Sequence, residues 1–126
     1  MADRRSSIWA YLEPDCLAWL QDESVSRQLA GLGRLSTYGR ILMELVSPYL
    51  SGERTFDEGL AARIPTADPK GMPHREFLVD PLEKAEVLRL RNGRRRDGRP
   101  PDSLNSIVSY CLHEAMGIWP EPDDRD

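Results

Sequence analysis

The chain has 126 residues, a length that suits one domain with a core of its own. Its formal charge of −4 excludes a protein whose whole surface coats nucleic acid or membrane. No apolar run approaches the ~20 residues of a membrane-spanning helix, and the longest, Ile41 to Val46, is interrupted by Glu44.

The two cysteines, Cys16 and Cys111, lie far apart among apolar neighbours. The N-terminus MADRRSSIWAYLEPD has no apolar stretch of the kind an export signal carries. A cytoplasmic protein with two buried thiols is therefore expected. Residues 1–7 and 120–126 are polar and read as disordered tails.

Pro14 followed by Asp15 suits a helix start, and this helix weakens around Gln21-Asp-Glu-Ser24. A second piece from Ser24 to Ala30 ends at Gly31 and Gly33, so residues 14–30 read as a broken helical pair. Ser36 to Ser47 reads as the central helix, with Ser36 as N-cap. Tyr38, Ile41, Leu42, Leu45 and Tyr49 recur at helical spacing, and Pro48 ends or kinks it. Thr55-Phe-Asp-Glu58 has the form of a capping box, opening a short helix to about Ile64. Residues 65–76, PTADPKGMPHRE after Ile64, form a long proline-rich loop.

Phe77-Leu-Val79 suits a short strand, and Asp80-Pro81-Leu82-Glu83 has the form of a helix start. The following segment supports two readings. Val87 to Arg91 alternates apolar and charged residues, and Asn92-Gly93 is a strong hairpin turn signal. The same Asn-Gly also suits the end of a helix running from Pro81 to Arg91. The last helix has one reading. After Pro100-Pro101, with Asp102 or Ser103 as cap, Leu104, Ile107, Val108, Cys111, Leu112 and Ala115 fall on one face. Ser106, Ser109 and His113 point away from that face, and Gly117 ends the helix. The stripe packs the core or supports self-association as a homodimer. The fold class is mainly α, a compact single-domain bundle of about five helices, with a short β-hairpin near residues 77–96 as the variable part.

Tyr38–Tyr49 followed by Thr55-Phe-Asp-Glu-Gly-Leu-Ala-Ala-Arg-Ile64 resembles the first two helices of a winged helix-turn-helix domain. Such domains open the helix before the turn with Thr-x-x-Glu-x-Leu-Ala. The resemblance implies a basic wing at Val87–Arg96, turning at Asn92-Gly93, and a dimerisation helix at Asp102–Met116. The chain departs from that pattern after Ile64, where the proline-rich loop replaces a recognition helix.

Chemistry-bearing motifs are sparse. His74 and His113 are the two histidines, and with Cys16 and Cys111 they show no metal-ligand spacing, so no metal or cofactor is expected. Cys111 and His113 cannot meet on one helix as nucleophile and base. Gly31-Leu-Gly33 lacks the rest of a dinucleotide fingerprint. The distinctive feature is Arg89, Arg91, Arg94, Arg95, Arg96 and Arg99, six arginines within eleven positions of an acidic chain. The guanidinium fork matches phosphate and carboxylate geometry. A non-enzymatic regulator that binds nucleic acid through these arginines is the first expectation. The alternative is an adaptor or inhibitor that meets an acidic protein surface through the same arginines, with Trp9, Trp19 and Trp119 as anchors. An enzyme using His74 is the third.

Overall fold

The computed structural model describes residues 5–65 and 72–121. Residues 66–71, inside the expected proline-rich loop, lie outside the described residues, as do 1–4 and 122–126 of the expected tails. The elements in order are β1 (Ser6–Tyr11), α1 (Pro14–Leu29), a 3-10 turn (Gly33–Leu35), α2 (Tyr38–Ser51), α3 (Glu58–Ala61), β2 (His74–Val79), α4 (Pro81–Asp97) and α5 (Leu104–Met116). Five helices and a two-stranded sheet make a mainly α fold.

The sheet joins the two ends of the first three-fifths of the chain. β1 and β2 run antiparallel, with Ser6 opposite Val79, Ile8 opposite Phe77 and Tyr11 opposite His74. Side chains alternate across a strand, so Ile8, Ala10, Phe77 and Val79 turn inward and are buried, while Trp9, Glu76 and Leu78 face out. Ser6 and Ser7 are therefore strand rather than tail, and His74 to Glu76 are strand rather than loop. Asn105 of α5 caps the free edge of β1 by accepting the Tyr11 N–H at 2.9 Å.

Several helices differ from the pattern their residues suggest. α1 is continuous through Ser24, because the Ser24 hydroxyl bonds outward to the Ser36 carbonyl and leaves the helix intact. Arg27 braces the same stretch by bonding Glu23 one turn back and Glu44 of α2, and these carboxylates raise its pKa. α2 is capped by Thr37, whose hydroxyl accepts from Arg40 N–H, and it runs through Pro48 to Ser51. The proline removes one backbone bond, and Gly52 ends the helix at φ 83°. α3 is one turn long. Asp57 caps it rather than Thr55, accepting from Leu60 N–H at 3.1 Å.

The segment with two readings is a helix. α4 spans 17 residues straight through Asn92-Gly93, opened by Glu83, which accepts the Asp80 N–H at 2.9 Å. Arg94, Arg95 and Arg96 occupy its last turn, where positive charge favours the helix dipole. Gly98, at φ 65°, takes the cap that Asn-Gly was expected to supply. No wing forms at Val87–Arg96, and the hairpin expected near 77–96 is replaced by the pairing of β2 with the distant β1. With α3 only one turn long, the winged-helix expectation fails.

α5 sits at the centre, packed against α1, α2, α3, α4 and β1. Ser103 caps it, accepting from Ser106 N–H at 3.0 Å, and Gly117 ends it. Among the described residues no helix is long and apolar enough to cross a membrane.

Candidate functional site

The arginine-rich segment is distributed around a helix rather than gathered into one patch. At 100° per residue, Arg89 and Arg96 lie within about 20° of each other on the outer side of α4. Arg91 and Arg95 share a second flank, about 40° apart. Arg94 points inward with Val87, the one buried residue of the helix. Its guanidinium lies 5.1 Å from the centre of the Phe56 ring and donates to the Pro100 carbonyl, while its Nε is buried without a partner. Arg94 thus braces the end of α4 against Phe56 and Pro100. Replacing it with alanine is expected to cost about 2 kcal/mol, from the lost ring contact and the charged hydrogen bond. Arg94→Lys should recover only part of this, since an ammonium lacks the planar fork. Chemical denaturation of the two variants checks it.

The remaining arginines divide by partner. Arg91 bonds the Asn92 side chain, and Arg96 has a 3.5 Å contact to Asp97 that solvent weakens. Among the described residues no carboxylate pairs with Arg89, Arg95 or Arg99, and all three are exposed.

The apolar stripe of the last helix is spent inside the molecule. Ile107, Val108, Cys111 and Leu112 are buried, and Leu104 and Ala115 are half-buried. It is the core stripe. Burial pushes the Cys111 thiol pKa up, which keeps it protonated and inert. Trp19 and Trp119 pack on this core, so of the three tryptophans only Trp9 is exposed. His74 stacks on Tyr11 and lies tilted against Trp9 on the outer face of the sheet, with its ring centre 4.3 and 4.7 Å from theirs.

The opposite side of α5 departs most from expectation. Ser109 and His113 are both buried, and the start of α1 and the Ile118-Trp119 segment fold over His113. His113 Nδ1 lies 2.9 Å from the Ile118 carbonyl oxygen and donates to it. Its Nε2 faces Glu13 Oε1 at 3.0 Å and Cys16 Sγ at 3.6 Å. Burial by itself lowers the imidazole pKa, but the bonds to Cys16, Glu13 and Ile118 outweigh it and hold His113 at about 10. The ring is therefore an imidazolium at neutral pH. Glu13 also lines a cavity of about 260 Å³ bounded in part by Asn105, Ser106, Ser109 and Pro101.

This arrangement does not form a nucleophilic relay. A base between thiol and acid presents a different nitrogen to each, whereas here Nε2 faces both. Cys16 is also fully buried. What the three side chains do share is a mixed donor set, with their Oε1, Sγ and Nε2 atoms all within 4.8 Å of one another. The sequence holds a partial signal of it. Glu13 and Cys16 stand three apart across a helix start, hence on one side, but His113 is a hundred residues away.

Comparison with family models, with curated proteins and with solved structures finds no match.

Proposed function

We propose that this chain is a non-enzymatic regulatory protein that binds nucleic acid through the exposed arginines of α4 and of the bend after it. One observation carries the reading. α4 buries a single residue over 17, and its exposed Arg89, Arg95 and Arg99 have no carboxylate partner among the described residues. Arg27, Arg40 and Arg54 are by contrast engaged with Glu44, Glu83 and Glu114. Unpaired guanidinium groups on an exposed helix suit phosphate contacts that position rather than specify. Binding of this kind weakens steeply with salt, by about 0.9 in log-log slope per phosphate neutralised on duplex DNA.

The test is a salt titration of binding to duplex DNA, single-stranded DNA and RNA. Arg89→Ala with Arg95→Ala should lower the slope by roughly two phosphates' worth without loss of fold. Failure of the purified chain to bind any of the three at low salt removes the reading. The second reading, an acidic protein partner, is favoured by Trp9, which stands 48% exposed beside His74. A pull-down from the native host with and without nuclease separates the two. Nuclease-resistant capture that depends on Trp9 supports the protein partner.

A further inference from the structure

We propose that Glu13, Cys16 and His113 form a binding site for one divalent transition-metal ion of the zinc type. The site goes beyond the nucleic-acid reading and does not depend on it. Three observations converge on it. The first is spacing. A tetrahedral zinc ion with bonds of about 2.0–2.3 Å holds its donor atoms roughly 3.3–3.6 Å apart. Nε2 to Sγ is 3.6 Å, already at that spacing, and Nε2 to Oε1 is 3.0 Å, with all three donor atoms within 4.8 Å of one another, so a side-chain rotation of Glu13 completes the set. The second is orientation. Nδ1 is committed to the Ile118 carbonyl, the outer-shell bond that fixes a metal-ligating histidine in its tautomer and directs Nε2 at the ion. The third is position. Cys16 and His113 are 0% and 4% exposed, whereas Glu13 faces the cavity, so an ion reaches the site from that side.

The donor set decides the class of ion. One sulfur, one imidazole nitrogen and one carboxylate oxygen suit zinc and its neighbours, whereas magnesium and calcium take oxygen donors. On binding, the ion displaces the Nε2 proton and the thiol proton, and both leave to solvent. Three protein ligands leave the fourth tetrahedral position to a water molecule from the cavity. The ion clips the first turn of α1 to the last turn of α5 and holds the Ile118-Trp119 segment through its carbonyl. Cys111, the second thiol, lies on the other face of α5 and takes no part.

Cobalt(II), which reports thiolate ligation by a charge-transfer band, is the probe to add to the purified full chain. One equivalent should give the band, and zinc(II) should bleach it. The band should persist in Cys111→Ser and vanish in Cys16→Ser. Glu13→Gln should weaken zinc binding by at least ~10-fold. Circular dichroism establishes that each variant is folded. If Cys16→Ser fails to fold, X-ray absorption on the zinc-loaded natural chain counts the sulfur ligands directly, and one is expected. No uptake by the folded natural chain, a band that survives in folded Cys16→Ser, or a zinc shell without sulfur overturns the proposal.

Discussion

Gly39→Ala is expected to destabilise the protein by about 3 kcal/mol or more, although alanine is the better helix former. Gly39 lies in the first turn of α2, where the helix crosses β2 at backbone contact. A Cβ built there meets the Leu78 carbonyl oxygen at 1.7 Å and its carbon at 2.7 Å. Both are main-chain atoms of a paired strand, so neither can turn aside as a side chain would. Relief requires α2 to lift from the sheet, which opens the contacts of Ile41, Leu42 and Phe77 together. In a domain stable by about 5–15 kcal/mol the loss is a large fraction, and the melting temperature should fall by roughly 10 °C. Gly93→Ala supplies the contrast. Gly93 is inside α4 with nothing within 4 Å of its added Cβ and without a positive φ. There the same substitution should stabilise by about 0.5–1 kcal/mol. Thermal unfolding of the two variants should therefore shift in opposite directions. A loss at Gly93 would contradict the helix through Asn92-Gly93 and favour a turn.

The Gly93 contrast marks the boundary of what local pattern conveys. α5 was legible in its bounds and its apolar stripe, because that stripe, the serine cap and the terminal glycine all agree, but not in the burial of Ser109 and His113. α2 was legible in its stripe but not in its end, since the tertiary contacts of Tyr49 carry the helix past Pro48. At α4 two local signals conflicted, and the resolving term is long-range. β2 satisfies its hydrogen bonds on β1, more than sixty positions away, which leaves the chain after Val79 without a strand partner. Such pairing has no local signature. The arginine cluster was legible as composition, but the separation of an inward Arg94 from an outer Arg89 and a flanking Arg95 follows only from helical phase, and Arg99 lies past the helix end. The Glu13–Cys16–His113 cluster was the least legible, since α5 presented His113 opposite its main stripe. The start of α1 and the segment after Gly117 cover His113, and neither shows in the phase of one helix.

Tyr110→Ala is expected to cost about 3–5 kcal/mol, the range for emptying a large buried aromatic site. Tyr110 is 2% exposed and stands edge-on to three rings, with Phe56 and Trp119 at 4.9 Å and Tyr49 at 5.8 Å between centres. Tyr49 and Phe56 stack on each other at 4.2 Å, so the side chain holds α2, the start of α3 and the C-terminal segment to α5. Its hydroxyl also accepts the Asp57 N–H at 2.9 Å, fixing the residue that caps α3. Tyr49 in turn donates to Glu114, and burial followed by that carboxylate raises its phenol pKa, so it remains a donor. Tyr110→Phe keeps the rings and loses the hydroxyl, for about 1 kcal/mol, which separates packing from the bond to Asp57. The cluster reaches the basic helix as well, since Arg94 rests over the ring of Phe56. With Tyr110 gone, Phe56 is freed to move and Arg94 loses its platform. Arg94→Ala should then cost less in the Tyr110→Ala background than in the natural chain, by about 0.5 kcal/mol or more in a double-mutant cycle. Strict additivity would show that the aromatic cluster and the end of α4 are independent. Coupling would show that the positions of Arg89, Arg95 and Arg99 are set from the core outward, through Phe56 and Arg94.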